Sequence, residues 1–235
     1  MADQAQLMGM FSTLATNKSP VTLYNTYRGL PFNYSADILK FEAGMLSTRV
    51  HRHQAISMTQ EGCTHLQNRT FREVIRANVD DIDYRMMEAT LCEFTPAGDS
   101  IGKRMATRVQ PSDSIEAEVS DGRRWVKGRI ADISLGGLCF LTLTTSINSL
   151  SLGLERDVSI DFIPPGHASV VRFDAVITNV REQEGSYLHR LGLRLHPNPD
   201  IQPLMKKYIV KQQQVIMNEL EQACAFLCHD FDPWE

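Results

Sequence analysis

Apolar and polar residues alternate with a period of two along most of this chain, in short runs separated by Gly, Pro, Asn and Asp. That period belongs to strands with one buried face, and the separators to tight turns. In the first half the runs are VTLYNTYRGLPF (21–32), ADILKFEAG (36–44), MLSTRVHRHQAISM (45–58) and FREVIRANVDDIDYRMMEATLCEF (71–94), the last strand-like at both ends. Ahead of them, Leu7, Met8, Phe11 and Leu14 fall on one side of a short helix that ends before Pro20. These runs predict a mainly β first domain over 1–98. TPAGDSIGK (95–103) then gathers Pro, Gly, Asp and Ser as a linker does. A second series follows: SIEAEV, WVKGRIADI, LCFLTL, DVSIDF, SVVRFDAVITNV and YLHRLGLRL. Six short strands joined by turns predict a closed antiparallel barrel over 111–197, the arrangement that leaves no strand edge unpaired. From Leu204 to Leu227 apolar residues recur at steps of three and four, which predicts a C-terminal helix over 201–228. The second domain is therefore 99–235: a linker (99–110), the barrel and the helix.

Composition narrows the class. At 235 residues the chain is long enough for two domains, and 43% hydrophobic against 22% charged residues supports packed cores rather than disorder. The net charge of -4 gives no general attraction for nucleic acid polymers or anionic lipid, so an anionic partner must be held by a local basic cluster. Five cysteines, an odd number without compact spacing, read as reduced thiols, with Cys224 and Cys228 on the apolar stripe of the helix. No signal peptide and no run of about 18 apolar residues is present, so we expect a cytoplasmic protein without membrane insertion.

The chemistry concentrates in two places. Arg104 and Arg108 stand four apart on the linker, on a segment that belongs to no predicted element, directly after Lys103. Asp132, Ser134, Gly136 and Gly137 occupy the junction between two barrel strands, in the stretch RIADISLGGLCF (129–140). Guanidinium groups grip phosphate, or present two N–H groups to O6 and N7 of guanine. A carboxylate accepts from guanine N1–H and N2–H, a hydroxyl donates or accepts at short range, and a glycine lets a planar base approach the backbone. One guanine nucleotide with bridging phosphates would satisfy both halves.

The pair RMATR (104–108) and DISLGG (132–137) resembles the RxxxR and [D/N]xSxxG motifs of the PilZ domain, in order and in spacing. That resemblance implies a small β-barrel binding the bacterial second messenger cyclic di-GMP. Arg104 and Arg108 would take phosphates and a guanine edge, Asp132 and Ser134 would bond guanine, and Gly137, beside Gly136, would keep the wall open. HRLGLRL (189–195) looks like the family's last barrel strand and adds Arg194. In the family the residue before RxxxR influences whether one ligand or a stacked pair is bound. A cation there, Lys103, leaves room for more phosphate charge, and we expect two. The layout of the whole chain also resembles the YcgR-like flagellar brake proteins. This implies a split-barrel-like first domain and ligand-driven domain closure, with a partner such as the flagellar motor or basal body in control of motility or biofilm. The C-terminal helix is compatible with a homodimer.

Other readings are weaker. Arg104 and Arg108 alone could be a solvated linker, Asp132 and Ser134 a capped turn, and Gly136 and Gly137 a bulge; the barrel would then be a scaffold that holds no nucleotide. His51 and His53 read as exposed histidines on one strand face, lacking a third metal ligand at suitable spacing. His167 reads as a turn residue, Asp80, Asp81 and Asp83 as a solvated turn, and Met86 and Met87 as core or interface filler. No nucleophile elbow, P-loop or dinucleotide fingerprint is present, and no flavin phosphate clamp marks the first domain as a split-barrel enzyme. We expect no enzymatic activity, no cofactor and no metal.

Overall fold

The structure is a computed structural model and describes residues 4–98, 107–143, 153–182 and 187–229, with side chains to 227. It forms two compact units: described residues up to 98 with those from Ile216 onward, and those from 107 to Val215. The first unit holds α1 (Gln4–Thr16), β1 (Val21–Tyr27), β2 (Leu30–Glu42), β3 (Met45–Arg49), α2 (Arg52–Glu61), β4 (Cys63–Gln67), β5 (Ile75–Asp83) and β6 (Glu88–Pro96). The second holds β7 (Ile115–Ser120), β8 (Trp125–Ser134), β9 (Gly137–Leu143), β10 (Asp157–Phe162), β11 (Val171–Glu182) and β12 (Leu188–Leu195). A last helix, α3 (Gln202–His229), contributes its first half to the second unit and its remainder to the first.

Both sheets are closed antiparallel barrels, ordered β1-β2-β3-β6-β5-β4 and β7-β8-β9-β12-β11-β10. Counted along the chain, the two barrels have the same strand order, a repeat of topology that the sequence does not display as a repeat of residues. The fold is mainly β, with the predicted six-stranded second barrel, and the first domain is itself a closed six-stranded barrel. The alternation has its expected physical basis. Val158, Ile160 and Phe162 of β10 are buried while Asp157, Ser159 and Asp161 are not. In the first barrel Leu23, Leu46, Leu66, Leu91 and Phe94 fill the interior, and α1 inserts Phe11 with its ring centroid 4.3 Å from Phe94 and 5.4 Å from Phe71.

Three expectations need correction. Residues 45–58 are not one strand run: β3 stops at Arg49 and α2 follows. The N-cap is His51, whose Nδ1 accepts from the His53 N–H at 3.2 Å, and Gly62 closes the helix at φ 64° with its N–H on Met58 O. Burial, aided by neighbouring His53 and Arg52, pushes the His51 imidazole below its usual range, which keeps Nδ1 free to accept. Two polar residues buried on α2 donate inside the fold, Gln54 to Asn25 and the Ser57 hydroxyl to His53 O, while Gln54 Oε1 has no partner among the described residues. Apolar periodicity does not register such a helix. His53 is therefore a buried helix residue rather than an exposed strand one. The second correction is that Asp80, Asp81 and Asp83 lie on β5; only Asp83 serves a turn, accepting from the N–H groups of Arg85 and Met86 at 2.9 Å. Third, Met86 is exposed at that turn, while Met87 packs on the core as expected.

The distal half of α3 also differs from its assignment to the second domain. Leu220 and Cys224 pack with Phe32 and Ile56 of the first unit. Glu219 pairs with Arg28, and Glu221 with Arg52 at 2.8 Å. The other Glu221 oxygen accepts from His53 Nε2 at 2.8 Å, and the Tyr34 hydroxyl meets His53 Nδ1 at 3.0 Å. That network assigns the imidazole proton to Nε2. His53 is only 6% exposed, so Glu221→Ala strands a buried donor. We expect a loss of about 1–2 kcal/mol, read as a lower urea midpoint of the first unit; an unchanged midpoint would show that solvent replaces the carboxylate fully.

Candidate functional site

The site is built from the segment at 107–110, the β8–β9 hairpin and β12. A bulge between Ile130 and Asp132 re-aims β8, so that Ile130 and Ile133 point inward while Asp132 and Ser134 take the outward face. Cross-strand register then places two rows side by side on that face: Asp132, Cys139 and Gly192, and beside them Ser134, Gly137 and Arg194. Arg190, Gly192 and Arg194 share the outward face of β12 by strand alternation.

Arg108 reaches this face because the residue after it is anchored. Val109 is 0% exposed and exchanges two backbone hydrogen bonds with Ile133, each 2.9 Å. The described end of the linker is thus committed to the barrel, contrary to the expectation of a segment outside any element. From there Arg108 Nη1 donates to Asp132 Oδ1 at 2.9 Å. Arg190 Nη2 lies 4.0 Å from the other carboxylate oxygen, Asp132 Oδ2. Burial pushes the Cys139 thiol up, the adjacent Asp132 carboxylate adds to this, and a hydrogen bond from Arg190 opposes it. The four charged groups Arg108, Arg190, Arg194 and Asp132 leave two net positive charges on the face.

The sequence-derived residues are placed unequally. Arg108 and Asp132 are in contact, and Arg194 is exposed on β12, paired in register with Gly137. Ser134 is 4% exposed and its hydroxyl donates to Gly137 O at 2.8 Å, closing the hairpin. At Gly137 a Cβ would lie 2.6 Å from Leu193 O, so its missing side chain admits the neighbouring strand. At Gly136 a Cβ would have nothing within 4 Å. Lys103 and Arg104 lie outside the described residues. Arg190 was missed; a two-residue step back from Gly192 would have put it on the same face, but only the register of β9 between β8 and β12 brings that face to Asp132.

The model of the PilZ domain matches residues 103–210. No match was found among curated proteins. Among solved structures, YcgR from Escherichia coli in complex with c-di-GMP aligns at 14% identity and a TM-score of 0.45, covering 94% of this chain and 95% of that one. The K. pneumonia MrkH-c-di-GMP complex aligns at 10% and 0.47, covering 92% and 97%. The Bacillus subtilis inhibitor of motility MotI/DgrA aligns at 11% and 0.45, covering 83% and 95%. These likenesses run along most of each chain and are too distant to carry residue roles across.

Proposed function

Because residues 103–210 are a PilZ domain, we propose that this chain is a receptor for cyclic di-GMP that acts by binding rather than by catalysis. The observation that carries the reading is the 2.9 Å contact between Arg108 and Asp132, which joins the two motifs on one outward face. In the ligand-free state each group neutralises the other. A guanine nucleotide with bridging phosphates offers both a better partner: its N1–H and N2–H to the carboxylate, its phosphate or its O6 and N7 to the guanidinium. Binding is thus an exchange of one ion pair for two charge-assisted contacts. The two net positive charges of the face complement a ligand with two phosphodiester charges. Arg104, from the same motif, would add a second guanidinium, and Lys103 room for a second stacked ligand.

Clamping by the linker arginines orders the connection between the two units, and a ligand that prefers one arrangement of them shifts the population toward it. The output is then a partner that reads this arrangement, in motility or biofilm control, with the flagellar basal body as one recipient. No described helix is long and apolar enough to cross a membrane. A second reading, an inert PilZ-like scaffold, draws support from the structural employment of Ser134 and Gly137.

Calorimetric titration of the full chain with cyclic di-GMP separates the two. The receptor binds at micromolar concentration or tighter, with two ligands per chain, and a hundredfold excess over Kd adds about 2.7 kcal/mol of stability. One ligand per chain removes the role given to Lys103. Neither heat nor a change in Tm leaves the scaffold.

A further inference from the structure

The segment that carries Arg108 is held from two sides, and the second hold comes from a residue absent from both motifs. Gln212 of α3 is 6% exposed. Its side-chain nitrogen donates to Gln110 O at 3.2 Å and to Ser112 Oγ at 2.6 Å, about a hundred residues away in sequence. Both N–H groups of one carboxamide are thereby used on the stretch that begins two residues after Arg108. Val109, between the two points, is sewn to Ile133 on β8. The backbone from 109 to 112 is thus fastened to the barrel on one side and to α3 on the other.

We propose that Gln212 is a positioning residue of the ligand site: it acts through Gln110 and Ser112 to hold Arg108 where it meets both Asp132 and an incoming phosphate. The inference rests on the receptor reading above and adds how the site is kept ready. Arg108 belongs to a chain segment that must be ordered for binding. Ordering it in advance removes part of the conformational entropy cost from the binding step. The choice of residue type fits this task. A leucine of similar size would fill the same space on a buried helix face, but would leave Gln110 O and Ser112 Oγ without their donor. By linkage the coupling runs both ways: a ligand that immobilises Arg108 steadies the Gln110–Gln212 bond, and with it the first turns of α3.

The test compares wild type, Gln212→Leu and Ser112→Ala in the full chain. Ser112 is exposed, and its replacement removes one acceptor with little risk to folding. Affinity for cyclic di-GMP is measured by calorimetry, and amide hydrogen exchange by mass spectrometry in the ligand-free state. We expect Gln212→Leu to weaken binding about three- to tenfold, and Ser112→Ala about twofold. Exchange at Val109 and Ile133 should rise about tenfold in Gln212→Leu while Ile160, in the barrel core, stays within about twofold of wild type. Unchanged affinity in Gln212→Leu overturns the proposal, and so does faster exchange spread evenly over the barrel, which marks a general stability defect. If wild type itself does not bind, the receptor reading falls instead, and the exchange data separately show whether the tether exists.

Discussion

Asp132→Ala is expected to weaken cyclic di-GMP binding about a hundredfold while leaving the second barrel folded. Asp132 stands on the outward face, and among the described residues its charged partners Arg108 and Arg190 have side chains 34% and 49% exposed, so its loss leaves no fully buried charge behind. What it supplies is an acceptor for two guanine N–H donors, and hydrogen bonds to a charged group contribute about 1.5–3 kcal/mol each. Against this, its removal frees Arg108 from the ion pair that the ligand must otherwise displace. The two effects partly offset, and about 3 kcal/mol, or two orders of magnitude, remains. Asp132→Asn keeps one acceptor oxygen and is expected to lose about tenfold or less. Calorimetry with both variants checks the order. Equal affinity in wild type and Asp132→Ala would move the ligand away from this face.

The second large effect concerns folding. Gly128 sits on β8 opposite Ala117, with its side-chain direction into the barrel. A Cβ there would fall on the carbonyl oxygen of Leu141 and 2.5–2.8 Å from ring atoms of Phe140, which is fully buried. Leu141 is paired to both Arg129 and Arg190 in the sheet, so its carbonyl has no easy way to retreat. Gly128→Val should therefore cost at least about 3 kcal/mol and drop the second barrel's urea midpoint sharply, followed through the fluorescence of Trp125. Gly136→Ala provides the control. Nothing lies within 4 Å of its added carbon, and the change should stay within about 0.5 kcal/mol. Comparable losses in the two variants would contradict this account of the barrel wall.

Much of the fold was legible because the second barrel obeys alternation closely: Ile115, Ala117 and Val119 are buried, while Glu116 and Glu118 are exposed. Helix α2 was not, since Gln54 and Ser57 are buried polar residues, Gln54 held by Asn25 on β1 and the Ser57 hydroxyl by the His53 carbonyl one turn back in the same helix. The shared strand order of the two barrels was also invisible, because topology repeats where residues do not. The first barrel's counterpart of the β8–β9 hairpin, around Glu42 and Gly44, carries no acid-x-Ser pattern.

Of the candidate site, the two motifs pointed to Arg108 and Asp132, which the fold brings into hydrogen-bond contact. A motif names residue types but not where each atom is spent. Ser134 and Gly137 serve the hairpin and the neighbouring strand. The residues that position Arg108, namely Val109 and Gln212, are an apolar side chain and a neutral amide, which a search for charge passes over. Arg190 needed the register of three strands.

The most direct measurement is a crystal structure of the full chain grown with saturating cyclic di-GMP. The account predicts that Arg108 has left Asp132 for the ligand, with guanine N–H groups on the Asp132 carboxylate and Arg104 on the same ligand. Arg108 still bonded to Asp132, with the outward face bare or the dinucleotide seated elsewhere, would contradict it.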